Sequence, residues 1–387
     1  MKEGWEIKKL GEVFDLQMGK TPSRDNADYW GGTNVWVSIA DLKDKYIGES
    51  KEHITDKAIS DTNIKKVNAG VVVMSFKLTV GRAAIATQDL YTNEAIMAFN
   101  LKEGYNLIPS YIYYYLRGYR WAGTNKAVMG LTLNKATISQ NTISIPPLPT
   151  QERIVSELDC INSIIEKKRE QLKELDALAQ SIFYDMFGDP IRNEKGWEVR
   201  KLGEVCRIIG GYAFKSDLFK EEGIPVLRIG NINTGQLRIT PIVYYEEDPK
   251  LEKYIVQPRD LVMSLTGTVG KDDYGNVCVI DNTYPKYYLN QRNAKFTLSE
   301  SLQVDYLKYF LQDKQIKNQL VGANRGVRQG NIANKDIEKL SVTLPPLPLQ
   351  QEFATKIEAI EKQKELIKRS IAEVETLLAS RMQYYFG

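Results

Sequence analysis

The sequence predicts an α+β protein written twice: two globular, sheet-containing domains separated by two long antiparallel coiled-coil helices, with an internal pseudo-twofold repeat. Three observations predict it. A ten-residue opening motif returns 192 positions later, each copy closes on the same proline-rich segment, and each of those segments is followed by nearly 40 residues without proline or glycine. Self-similarity at a long period organises a chain before any local structure does. The boundaries that follow are 1–149 for the first domain, 150–188 for the central helix, 189–348 for the second domain and 349–387 for the C-terminal helix.

The opening motif is Gly4-Trp5-Glu6-Ile7-Lys8-Lys9-Leu10-Gly11-Glu12-Val13, and it returns as Gly196-Trp197-Glu198-Val199-Arg200-Lys201-Leu202-Gly203-Glu204-Val205. Eight of the ten residues are identical. Further echoes keep the same order. Val73-Met74-Ser75 answers Val262-Met263-Ser264, Thr79-Val80-Gly81 answers Thr268-Val269-Gly270, and Ile145-Pro146-Pro147-Leu148-Pro149 answers Leu344-Pro345-Pro346-Leu347-Pro348. Between these anchors the copies diverge, as in Gly19-Lys20-Thr21-Pro22-Ser23-Arg24 against Gly211-Tyr212-Ala213-Phe214-Lys215-Ser216. A shared scaffold carrying different surface chemistry is the expectation.

The segments after the prolines are rich in Glu, Lys, Gln, Leu and Ala, all good helix formers. In the first, Ile154, Leu158, Ile161, Ile165, Lys168, Leu172, Leu175, Ala179, Ile182 and Met186 alternate by four and three, the period of a coiled-coil seam. Moving each by 199 gives Phe353, Ile357, Ile360, Lys364, Ile367, Ile371, Val374, Leu378, Arg381 and Tyr385, again mainly apolar. A long amphipathic helix gains its stability by burying its stripe, so the two are expected to pair with each other. Lys168 and Lys364 interrupt the seam. They either fix register or snorkel to solvent, and the second is the reading favoured by the sequence.

A domain, a Pro-Pro-Leu-Pro-x-Gln segment with its helix, then a second domain and helix: this plan, over the whole chain, resembles the specificity subunit of type I restriction-modification systems. Gly210-Gly211-Tyr212-Ala213-Phe214-Lys215-Ser216 followed by Ile224-Pro225-Val226-Leu227-Arg228-Ile229-Gly230-Asn231-Ile232 is especially similar to a recognition domain of that family. The resemblance implies that each domain is a target-recognition domain reading one half of a bipartite, asymmetric site in double-stranded DNA. It also implies that the helices set the distance between half-sites and dock two methyltransferase subunits, with two restriction subunits completing the complex. S-adenosylmethionine, ATP and magnesium would then bind the partner subunits, and this chain itself needs no cofactor or metal.

Base edges are read by Arg, Lys, Asn and Gln in a groove, while other basic residues hold phosphates. Candidates lie in the divergent, glycine-punctuated stretches expected to be loops. In the first domain they are Lys20, Thr21, Ser23, Arg24, Lys77, Arg82 and Lys126. In the second they are Tyr212, Lys215, Arg228, Asn231, Lys271, Gln291, Arg292, Arg325, Arg328 and Gln329, with 324–329 the strongest cluster. The tyrosines at 111, 113, 114, 115 and 119 are expected to pack in a core, as are their counterparts around Tyr306 and Tyr309.

Catalytic chemistry is poorly supplied. There is a single histidine, His53, expected at the surface, and three separated cysteines, Cys160, Cys206 and Cys278, expected to be buried thiols. No phosphate loop is present, and both Pro-Pro pairs follow an aliphatic residue where an amino-methyltransferase motif needs Asn or Asp. Asp248-Pro249-Lys250-Leu251-Glu252-Lys253 is too tightly spaced for a nuclease centre. Relatives of a fused methyltransferase-nuclease, or a purely structural coiled-coil adaptor, remain as other classes. The chain of 387 residues, with 43% hydrophobic and 26% charged residues, a net charge of +3 and no signal-like apolar start, is expected in the cytoplasm and off the membrane.

Overall fold

The computed structural model describes residues 4–121, 125–127, 130–321 and 329–387, with the backbone alone at 125–127, 130–132 and 329. The chain forms two compact units. One comprises Met1–Arg169 with Arg369–Gly387, the other Glu170–Lys368. Each long helix therefore contributes residues to both.

In the first unit a five-stranded sheet runs in the order Phe14–Met18, Ile96–Leu101, Val72–Ser75, Ala83–Ala86, Tyr46–Ile47, antiparallel except at the last pair. Val72–Ser75 is buried throughout, as a continuous apolar run between two layers should be. Phe14 and Leu16 point inward while Asp15 between them is exposed, the alternation of a strand with one wet face. A second sheet joins Glu52–Ile54, Trp30–Val37 and Tyr91–Thr92, and Glu6–Lys9 pairs with Thr142–Ile145. Helix α1 (Pro109–Gly118) starts on a proline, which is tolerated in a first turn, and covers the main sheet with Tyr111, Tyr113, Tyr114 and Tyr115 all buried.

The second unit repeats the plan. Its main sheet runs Cys206–Gly210, Asn293–Leu298, Leu261–Ser264, Val277–Val279. Its second sheet runs Val243–Tyr245, Ile224–Leu227, Tyr287–Leu289, Ile255–Val256, and Glu198–Lys201 pairs with Ser341–Leu344. Cys206 and Ile208 point inward around exposed Arg207, as Phe14 and Leu16 do around Asp15.

Helix α2 (Leu148–Phe187) and helix α4 (Leu347–Phe386), named around α3 (Val304–Gln312), are each 40 residues long. Within the first unit, Arg381 and Tyr385 of α4 both hydrogen-bond Glu157 of α2, the Tyr385 hydroxyl at 2.7 Å, and Arg169 pairs with Glu375 at 2.8 Å. Within the second, Lys364 pairs with Asp176 at 2.7 Å, and the rings of Phe183 and Phe187 sit 5.7 and 5.2 Å from that of Phe353. Numbers rise along one helix as they fall along the other, so the pairing inside each unit is antiparallel. Of the seam residues, Ile154, Leu158, Ile161, Ile165, Phe353, Ile357 and Ile360 are buried, whereas Leu172, Leu175, Ile367, Ile371 and Val374 are half-buried.

Two expectations are corrected. Lys364 does not snorkel: it is only 8% exposed, and its ammonium is held by Asp176 and by Glu361 at 3.0 Å. Burial pulls its pKa down, but these two carboxylates outweigh it and the net shift is upward, so the charge is kept. Cys160 is exposed on α2, whereas Cys206 and Cys278 are buried and their thiols are pushed up to about 12 by burial.

Candidate nucleic-acid interface

The two units hold their divergent loops on matched supports. A Cβ at Gly19 would lie 2.2 Å from the Thr92 carbonyl oxygen, and one at Gly211 would lie 2.2 Å from that of Asn290, so only glycine lets each loop cross its neighbour. Gln151 and Gln350, in the segment after the prolines, are both wholly buried. Gln151 accepts from the Ile108 amide and donates to the carbonyls of Asn106 and Pro146; Gln350 accepts from the Gln303 amide and donates to those of Ser301 and Pro345. Tyr111 donates to the Ser144 carbonyl, and Tyr306 to that of Thr343, each at 2.7 Å. The same wiring thus supports unlike loops in the two units.

In the second unit, backbone bonds join several sequence-predicted residues. The Gln291 amide donates to the Tyr212 carbonyl at 2.8 Å, the Leu265 amide to the Arg292 carbonyl at 2.8 Å, and strand Thr266–Thr268 pairs with Gln329–Asn331 so that Thr268 faces Gln329. Lys271 and Arg292, both exposed, line a notch of about 560 Å³ with Ile229, Asn233, Thr266, Thr268 and Asp273. Asn233, Thr266 and Asp273 were not singled out in the sequence, although the Thr268-Val269-Gly270 echo marks the segment that bears Thr266 and Asp273. Tyr212 is partly exposed and packs 5.1 Å from Phe214 and 5.2 Å from Tyr254. Lys215 is exposed beside it.

Arg228 and Asn231 have different duties. Asn231 is 3% exposed; its amide accepts from the Arg228 backbone N–H and donates to the carbonyls of Arg238 and Pro241, so it holds the loop from within. Arg228 is half-buried, and its Nε finds no hydrogen-bond partner among the described residues. Arg325 and Arg328 lie outside the described residues, as do the side chains of Gln329 and Lys126, whose backbones belong to strands Gln329–Asn331 and Asn125–Ala127.

In the first unit the candidates are more heavily engaged. The Lys20 ammonium donates to the Thr62 carbonyl at 2.5 Å, and the Thr21 hydroxyl donates to Glu94. Arg24 is paired with Glu52 and lies 3.9 Å from the Trp30 ring centroid. These contacts hold both carboxyls below the usual range: that of Glu52 chiefly by the Arg24 hydrogen bond, that of Glu94 chiefly by Thr21, with Lys77 and Arg24 adding charge. Ser23 is exposed, and its carbonyl accepts from the Trp30 indole at 3.0 Å. Lys77 and Arg82 flank the tight loop after Val72–Ser75, where the Arg82 amide donates to the Ser75 hydroxyl at 3.2 Å. His53 is half-buried, 3.8 Å from Glu49.

Among known proteins, the family model of the type I restriction modification DNA specificity domain matches residues 2–176 and 194–376, once in each half. The chain belongs to this family. A type I restriction enzyme specificity subunit of Methanocaldococcus jannaschii, MjaIX, is 24% identical to it over 92% of this chain and 86% of the relative, and a second from that organism, MjaVIII, is 24% identical over 97% and 92%. A solved chain from work on the assembly and conformational transition of a type I R-M system covers 100% of this chain, itself covered to 98%, with a TM-score of 0.63 at 18% identity. The type I restriction-modification S subunit from M. genitalium gives 0.52 at 12% identity, with 99% and 96% covered. These two likenesses establish the specificity-subunit fold. Among the described residues no helix is long and apolar enough to cross a membrane, and no group of His, Cys, Asp or Glu is placed to hold a metal ion.

Proposed function

We propose that this chain is the DNA sequence-specificity subunit of a type I restriction-modification complex. It recognises a bipartite, asymmetric target, each unit reading one half-site, and it performs no chemistry itself. Two methyltransferase and two restriction subunits dock on it, and S-adenosylmethionine, ATP and magnesium act on those partners. The observation that carries this reading is the pairing of duplicated wiring with divergent loops: Gln151 and Gln350 make the same three bonds, while the loops they support differ, one carrying Arg24, Glu52 and Trp30 and the other Lys271, Arg292 and Thr266–Thr268. One rigid scaffold used twice with unlike loops recognises two unlike short sequences. Helices of 40 residues, about 60 Å at 1.5 Å per residue, exceed the roughly 34–36 Å of one DNA turn and suit a spacer between half-sites. Methylation-site mapping in cells carrying the complete system tests this. A motif of two short defined sequences around a fixed gap is expected; a single uninterrupted motif, or none, would overturn it.

A further inference from the structure

The two units can be superposed residue by residue through their hydrogen bonds, and that comparison isolates one place where their charge differs. Ser75 and Ser264 occupy the same position: each backbone N–H donates across the hairpin, to the carbonyl of Arg82 at 2.8 Å and of Asn276 at 2.9 Å. The amides of Gly81 and Gly275, both with positive φ, donate back to those serines at 3.0 and 2.7 Å. Arg82 therefore corresponds to Asn276. Likewise Ser38 and Arg228 each donate a backbone N–H to the side chain three residues on, Asp41 at 2.8 Å and Asn231 at 2.9 Å, which makes Lys43 the counterpart of Asn233. The Tyr111 and Tyr306 hydroxyl bonds fix α1 on α3 and make Arg117 the counterpart of Gln312.

In the second unit the Asn276 and Gln312 amides close on the protein. Asn276 donates to the Asn233 carbonyl at 2.6 Å, Gln312 to that of Val277 at 3.5 Å, and Lys317 donates to the Asn276 amide oxygen. In the first unit the same three positions carry cations around a notch of about 490 Å³, lined by Leu42, Lys43, Val80, Gly81, Arg82, Ala83 and Arg117, with no carboxylate in its wall. All three are exposed, and among the described residues none is in an ion pair; Arg117 bonds only the neutral Tyr113 hydroxyl. Three like charges around one concavity repel one another, and an anion seated between them relieves that repulsion. Arginine guanidinium groups match phosphate oxygens in geometry as well as charge.

We infer that the Lys43–Arg82–Arg117 notch of the first unit is a seat for a backbone phosphate of the DNA. The seat holds the duplex without reading it. This rests on the reading of the chain as a DNA-specificity subunit.

The test gives the first unit its sibling's residues. Lys43→Asn, Arg82→Asn and Arg117→Gln are introduced singly and together into the complex with its methyltransferase subunits, and binding to a duplex bearing the mapped site is titrated from about 50 to 200 mM salt. The slope of log K against log salt is expected to shrink by about 0.9 for each phosphate that the variant no longer neutralises, with the methylated motif unchanged. Lys43→Arg and Arg82→Lys, which keep the charge, retain the slope and control for folding. An unchanged slope in the triple variant, or a changed base preference in the first half-site, would overturn the phosphate seat. If wild type itself fails to discriminate its site from random duplex while the variants still lower the slope, the seat stands and the specificity reading falls.

Discussion

Replacing Gln350 by methionine tests the scaffold at the point where α4 joins its sheet-bearing body. The side chain has no exposed surface, and its amide makes three bonds: it accepts from the Gln303 N–H at 2.9 Å and donates to the carbonyls of Ser301 at 3.0 Å and Pro345 at 2.8 Å. Methionine keeps the volume and removes every bond. A net loss of about 1 kcal/mol per bond, with about 1–3 kcal/mol more for the donor and acceptors left unpaired away from water, sums to about 4–6 kcal/mol. That is a large part of the roughly 5–15 kcal/mol that holds an ordinary domain. Urea unfolding followed by far-UV circular dichroism and tryptophan fluorescence reads it as an earlier transition. Gln350→Glu is a useful companion, because the carboxylate still accepts from Gln303 but cannot donate to the two carbonyls. A methionine variant within about 1 kcal/mol of wild type would refute the reasoning, because buried partners would then have been satisfied by something other than this amide.

Phe183→Ala removes a wholly buried ring that lies 5.7 Å from Tyr306 and 5.7 Å from Phe353, and it is expected to cost about 3–5 kcal/mol by the same assay; a cost below about 1 kcal/mol would mean that the site closes up. Acid should loosen the helix pair in the first unit. The Arg381 hydrogen bond, which outweighs burial, with Tyr385 adding a second bond, holds the Glu157 carboxyl below its ordinary value of 4.5. A depressed carboxyl contributes stability that is present above that ordinary value and is lost as pH falls through the folded one. Urea midpoints compared at pH 7 and below pH 4.5 should therefore converge for wild type and Glu157→Gln, and a difference that stays constant would contradict the assignment. Lys271→Ala with Arg292→Ala should relax the base preference of one half-site in the mapped motif and leave the other intact, whereas equal loss at both would count against separate readers.

The architecture was legible because duplication leaves marks that local propensity does not. Gly4–Val13 and its echo, the two Pro-Pro-Leu-Pro stops and the four-three alternation from Ile154 each correspond to an element of the structure. What the sequence concealed was which polar groups face inward. Asn231 reads as a surface reader because asparagine usually stays in water, yet three backbone partners bring it inside. Lys364 reads as a snorkelling lysine because only one of its two carboxylate partners, Glu361, is a near neighbour in sequence, while the other, Asp176, lies across the helix pair. Phe183 and Phe187 lie off the heptad seam and are buried by the body of the second unit, a tertiary effect absent from helix periodicity. The candidate interface was legible only in part. Glycine-punctuated divergence singled out Lys271 and Arg292, whereas Asn233 lines the notch with them only through folding.

The central claim is that two unlike readers work independently on one scaffold. The most direct measurement is methylation-site mapping of cells in which residues 211–238 and 265–274 of the second unit have been exchanged for those of another member of the family. One half of the methylated motif is expected to change, with the other half and the gap retained. A change in both halves, or a motif identical to wild type in an active complex, would contradict the account.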